Sequence, residues 1–231
     1  KKKLLENFEN LTVVTPSSWL AERTRKSFLK NHDIQVIHNG IDTDIFSPKD
    51  TTELRKKHNI ADDEKVVLAV APGLMGENKG GKYVLQLAER MREQKVRFVL
   101  IGVDEEMDSP YDNTIILGRI NDKQLLAQYY SLANVFVICS ERENFPTTCL
   151  EAQCCGTPVC GFDVGGVRET LVDNCDLCSY GEVACLLMQI NCALDRTIDV
   201  DKAIRSKSAI ELFGNKHMCD TYQVLYGQVI K

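Results

Sequence analysis

The sequence predicts an α/β protein with a mainly parallel sheet between two layers of helices. Two observations carry this. Short apolar runs such as Val66-Val67-Leu68-Ala69-Val70 and Val135-Phe136-Val137-Ile138-Cys139 are continuous rather than alternating, as expected of strands buried on both faces. These runs alternate with amphipathic stretches of helical period, the pattern of βαβ units with right-handed crossovers.

Taken in order, residues 1–48 form a lead-in segment with strands near 11–15 and 35–37, and a short helix follows over 51–58. Residues 66–70 read as a buried strand. A Gly-rich loop comes next, then a helix over 81–93 with Val84, Leu85, Leu87, Ala88 and Met91 on or near one face. Strands are expected at 97–101 and 114–117, a helix at 122–132, a strand at 135–139, a helix at 148–155 and a strand at 158–162. Helices over 182–193, 201–213 and 217–229 close the chain. There is no internal repeat and no low-complexity tract.

Composition narrows the function classes. The chain has 231 residues, 44% apolar and 26% charged, enough for a real core, and 1–231 is expected to be a single domain. The net charge of −5 gives no support to a nucleic-acid partner, because phosphate backbones are bound by basic surfaces. A local field can still oppose the global sign and hold a small anion. The ten cysteines are expected to be reduced, since a chain with this much core does not need disulfides. Cys175 and Cys178 form a lone C-x-x-C, read as small loop residues, because zinc sites of that spacing use a second pair. No secretory signal is visible and no apolar run approaches the ~18 residues that span a bilayer. The expected location is cytoplasmic, with peripheral attachment of the full enzyme to the cytoplasmic membrane as an option. The first residue is Lys1 rather than Met, so the chain reads as a fragment or a processed product.

Three loops follow the carboxyl ends of predicted strands: residues 71–80, 118–121 and 140–147. In open α/β sheets ligands bind at that edge, where the strand order reverses. The first loop holds Gly73, Gly76, Gly80 and Lys79; glycines let backbone approach a phosphate, and the lysine supplies a charge. Residues 76–82 also fit G-x-x-x-x-G-K, but Tyr83 stands where a P-loop needs Ser or Thr for Mg²⁺. The third loop leads from Glu143 into a helix containing Glu151, with Pro146, Thr147 and Thr148 at its start. Helix-start N–H groups suit a phosphate and carboxylates suit sugar hydroxyls. Thr147 and Thr148 are natural N-caps. Taken alone, Glu143 reads as a solvated loop acid beside Glu141 and Arg142. Asp42-Thr43-Asp44 reads as a turn rather than a metal site, and no histidine shows metal-ligand spacing.

Glu143 to Glu151 resembles the E-x7-E motif of retaining glycosyltransferases of the GT-B fold, specifically glycosyltransferase family 4. Thr15-Pro16-Ser17-Ser18-Trp19-Leu20, His38-Asn39-Gly40-Ile41-Asp42-Thr43-Asp44-Ile45-Phe46-Ser47-Pro48, Asn78-Lys79-Gly80, Leu150-Glu151-Ala152, Gly156-Thr157-Pro158-Val159 and Gly165-Gly166-Val167-Arg168-Glu169 follow in family order. The resemblance implies a Rossmann-like three-layer domain, the C-terminal donor-binding half of a GT-B enzyme, whose N-terminal acceptor domain is absent from this chain. It implies that Glu143 is the catalytic residue and contacts the donor sugar, Glu151 the ribose, and Lys79 the diphosphate. Gly73 and the backbone of Asn144, Phe145, Pro146, Thr147 and Thr148 would meet phosphate and sugar, and Gly118, Arg119 and Ile120 the base. No metal or other cofactor is expected; the donor is a nucleoside-diphosphate sugar, and the acceptor a glycan, lipid or small molecule. The family's second diphosphate cation, an Arg before the lysine, is missing here, with Lys82 or Arg119 as substitutes. A non-catalytic nucleotide-sugar binding module and a P-loop-like NTPase remain as alternatives.

Overall fold

The computed structural model describes residues 2–5, 8, 10–103, 107–172, 177–195 and 198–229. Its centre is a six-stranded, wholly parallel sheet of β3 (Lys65–Val70), β4 (Val96–Ile101), β5 (Thr114–Leu117), β6 (Val135–Ile138), β7 (Val159–Phe162) and β8 (Leu177–Cys178), in spatial order β5-β4-β3-β6-β7-β8. The chain builds outward from β3 to β5, then returns to the other side of β3 for β6. The order therefore reverses between β3 and β6, and a crevice opens above their carboxyl ends.

The continuous apolar strands are explained by cover on both faces. Val66 and Leu68 of β3 join Phe136 and Ile138 of β6 in one core, with Tyr130 of α5 (Lys123–Leu132), Leu150 of α6 (Thr147–Cys154) and Ala209 of α8 (Ile198–Phe213). Val67 and Ala69 point the other way, to Leu87 of α4 (Gly81–Arg90) and Leu186 and Ile190 of α7 (Val183–Asp195). Successive strand residues thus feed opposite cores, as the two-residue pleat requires.

The lead-in segment folds as its own βαβ unit. After α1 (Lys2–Leu5), β1 (Thr12–Thr15) pairs in parallel with β2 (Asp33–Val36) through α2 (Ser18–Arg25), and α3 (Thr52–Lys57) leads into β3. Ile41 then bridges Gly214, in the turn between α8 and α9 (Asn215–Val229), with the Ile41 N–H donating to the Phe213 carbonyl at 2.9 Å. Among the described residues no helix is long and apolar enough to cross a membrane.

Differences from expectation are local. Helix α2 was not anticipated, although Ser17, whose side chain accepts from the Leu20 N–H, is a legible N-cap. Strand β8 is two residues long, too short to carry a pattern. Helix α6 starts at Thr147 with Pro146 in the N-cap position, so Thr147 and Thr148 lie inside it rather than capping it. The all-reduced reading of the cysteines is corrected: Cys178 and Cys185 form a disulfide across 6.0 Å between Cα atoms. Their seven-residue spacing is no motif; they meet because β8 ends beside the first turn of α7. Asp104 to Glu106 and Cys175 lie outside the described residues.

Candidate active site

The β3 and β6 loops close on each other over the strand-order reversal. Glu141 donates its N–H to the Asn78 carbonyl at 3.0 Å. Gly80 sits at φ +75°, where a Cβ would overlap the Cys139 carbonyl, so only glycine permits this approach. Beneath lies a cavity of about 250 Å³. Val70 and Ala71 line it from the end of β3, Ile138 from β6, and Lys79, Glu143 and Thr148 supply its polar wall.

Within it, the Lys79 ammonium donates to Glu143 Oε1 at 2.8 Å. Both side chains are mostly shielded from solvent, so the pair is screened less than a surface one. Glu143 is thus no solvated loop acid. Its backbone is held from behind, its carbonyl accepting the Gly166 N–H at 3.2 Å. Phe145, Pro146, Thr147 and Thr148 also line the cavity. With Pro146 at the N-cap and no side-chain cap, the first N–H groups of α6 are open to an anion, and the helix dipole favours negative charge there.

The other expected site residues sit around this centre. Glu151 does not line the cavity; it lies further along α6, where the Tyr130 hydroxyl donates to its Oε2 at 2.8 Å. Burial pushes the Glu151 carboxyl up, while the Tyr130 hydrogen bond and the Lys123 charge pull it partly back. Gly118 and Arg119 are exposed on the loop that precedes α5, and Ile120 packs on the core beneath. Gly73 shapes the β3 loop, its carbonyl accepting the Gly76 N–H at 2.8 Å, and does not line the cavity. Lys82 lies over the Tyr83 ring, 5.0 Å from its centroid, turned to an aromatic rather than into the cavity. Among the described residues, Lys79 is the one cation lining it. Asp42 does turn work as expected, its Oδ1 accepting from the Asp44 and Ile45 N–H groups.

The lead-in unit reaches the same loops. Ser17 donates to Asn144 Oδ1 at 3.0 Å, and the His38 ring lies tilted against Phe145, with centroids 4.8 Å apart. Glu169 caps the start of α2, accepting from Ser18 N–H at 2.6 Å and Trp19 N–H at 2.9 Å, and lies 3.6 Å from His38. Burial alone would raise the Glu169 carboxyl, but those N–H groups, the Ser18 hydroxyl and His38 outweigh it and hold it below the usual range. Pattern reading gave neither Glu169 nor Tyr130 a role, because both act across elements far apart in sequence.

Residues 50–176 match the family model for Glycosyl transferases group 1, a stretch that runs from α3 past β7 and includes both site loops. The chain belongs to this glycosyltransferase family. A relative, the N-acetyl-alpha-D-glucosaminyl L-malate synthase of Bacillus anthracis, is 24% identical over 98% of the chain. The glycosyltransferase chain spans 61% of that relative's length. Among solved structures, sucrose-phosphate synthase of Thermosynechococcus elongatus superposes with a TM-score of 0.81 at 24% identity, covering 99% of this chain and 60% of the other. The Anabaena protein HepE, solved in complex with UDP-glucose, superposes with a TM-score of 0.74 at 20% identity, covering 96% of this chain and 66% of the other. The Rossmann-like three-layer α/β fold expected from the sequence is the one found.

Proposed function

We propose that this chain is the donor-binding half of a retaining glycosyltransferase, which moves a sugar from a nucleoside-diphosphate sugar to an acceptor. The observation that carries the reading is the Lys79–Glu143 contact inside a cavity that the open N-terminus of α6 also faces. Cleavage of the donor builds negative charge on the leaving diphosphate and positive charge on the sugar ring. Lys79 and the α6 N-terminus sit where they can stabilise the first, and Glu143 where it can stabilise the second. Glu151 takes the ribose hydroxyls, and the loop of Gly118, Arg119 and Ile120 takes the base. The UDP-glucose in the HepE complex supports a nucleotide sugar as ligand. Lys79 alone carries cationic charge to the diphosphate in this reading, and no metal is required.

The longer protein supplies an N-terminal acceptor domain, and its acceptor is a glycan, lipid or small molecule met on the cytoplasmic side. The parallel pair β1–β2 supports only the first part of this, since two strands alone make a marginal sheet and leave open edges for more. The competing NTPase reading of residues 76–82 loses support from Lys82, which a phosphate-binding role would turn inward.

Calorimetric titration of the chain with UDP-, GDP- and ADP-sugars in the presence of a chelator tests the proposal. One donor class is expected to bind with the metal stripped. Binding of none of them, or nucleotide hydrolysis that depends on Mg²⁺, overturns it.

A further inference from the structure

Glu151 is an unusual group to leave on a helix packed against the core. It follows Leu150, which is fully buried, and its carboxyl is half-buried itself. A carboxylate in such a place needs partners. Among the described residues it has one hydrogen-bond donor, the hydroxyl of Tyr130 to Oε2. Oε1 is left with its acceptor capacity unused among those residues. The Lys123 charge, from the first turn of α5, also bears on it.

Tyr130 is a fixed point. Its side chain is fully buried. The ring is wedged edge-on between Phe46, at 6.1 Å, and Phe136 of the central strand β6, at 5.7 Å. Its backbone carbonyl accepts the Thr157 hydroxyl at 2.6 Å. A ring so enclosed cannot change rotamer without opening the core. Its hydroxyl therefore dictates where the Glu151 carboxylate sits and which oxygen remains available.

We infer that Tyr130 is a positioning residue for donor recognition, holding Glu151 by one carboxylate oxygen so that the other is presented to the ribose diol of the nucleotide. This rests on the donor-site reading above. Hydroxyl groups donate and a carboxylate only accepts, so the ribose reads the free oxygen while the phenol keeps the other. A Glu151 free to rotate would satisfy itself with water and lose that register.

The test compares nucleotides that differ only in the diol. The parent chain is titrated with UDP, GDP and ADP, and the one that binds is paired with its 2′,3′-dideoxy form. Tyr130→Phe, which keeps the ring and removes the hydroxyl, is expected to weaken the ribonucleotide about tenfold and to leave the dideoxy form unchanged, so that the two nearly converge. In the full-length enzyme the same change raises KM for the donor and leaves kcat alone. Equal weakening of both nucleotides, or none of either, overturns the inference while leaving the donor site standing. Failure of the parent chain to bind any of the three overturns the donor-site reading itself, and the inference with it. A second measurement needs no variant: the hydrogen-bonded hydroxyl proton of Tyr130 is followed by NMR in the parent chain. It is expected to stay protected from exchange when the ribonucleotide binds, and its loss on binding overturns the inference.

Discussion

Glu151 and Glu169 are both carboxylates on the same domain, and their surroundings drive them in opposite directions. Burial raises Glu151 above its ordinary value of 4.5, so the folded chain holds that proton more tightly than the unfolded one. Its contribution to stability is therefore lost as pH rises through the window from 4.5 to the raised value, and it is unfavourable at neutral pH. Glu169 is lowered by the N–H groups of Trp19 and Ser18 despite its burial. Its contribution is present above the ordinary carboxylate value and lost as pH falls through the folded one. Thermal melting at neutral pH should accordingly show Glu151→Gln more stable than the parent and Glu169→Gln less stable. Both differences should shrink in acid; the same sign for both variants would contradict these assignments. A binding residue that costs stability in the empty protein is a common compromise. Lys79 makes a second residue-scale prediction. Lys79→Met removes a charge-assisted donor and leaves Glu143 buried beside an apolar chain, so affinity for the nucleoside diphosphate should fall by about 2 kcal/mol, roughly thirtyfold, in calorimetry.

Among the elements, the turn after β7 supports the β6 loop through backbone contact that the order of residues does not show. A Cβ on Gly165, which sits at φ +58°, would overlap the Glu143 carbonyl, and one on Gly166 would overlap the Asn144 carbonyl. The backbone of Glu143 and Asn144 is thus seated directly on these two glycines. Gly166→Ala should shift the loop as well as strain the fold, lowering the melting temperature and weakening nucleotide binding together. A cost of about 2 kcal/mol or more is expected from the backbone overlap. Unchanged binding in a folded Gly166→Ala protein would show that the seating does not matter to the site. The helix beside it was only half legible. Its apolar content and its acid were plain in the sequence, but its first turn depends on Pro146 taking the cap position. Local propensity favoured the threonines; in the fold Pro146 takes that position and leaves it without a side-chain cap.

Across the whole molecule, strand order is what makes a site. The reversal between β3 and β6 puts the loop with Lys79 beside the loop with Glu143, although 64 residues separate them. The proposed reaction also needs an acceptor, so its largest effect is expected in the full-length enzyme. There Glu143→Ala should lower turnover by about a hundredfold, close to 3 kcal/mol, with donor binding affected far less. Turnover equal to the parent's would remove Glu143 from the mechanism. The lead-in unit belongs to this scale too: Ser17 and His38 touch the Asn144–Phe145 segment, and the N–H groups of Ser18 and Trp19 donate to Glu169 in the turn after β7.

The alternation of apolar runs with amphipathic stretches was enough to predict a parallel sheet covered on both faces, and the position of each loop after a strand was enough to nominate Lys79, Glu143 and their neighbours. Those are properties of local period and burial, which the order of residues encodes directly. The partnerships were decided by the fold: Lys79 with Glu143, Tyr130 with Glu151, Glu169 with His38 and the start of α2, and Cys178 with Cys185. Each joins separate elements or loops, and which of these become neighbours follows from sheet order and crossover packing, a property of the assembled chain rather than of any one segment.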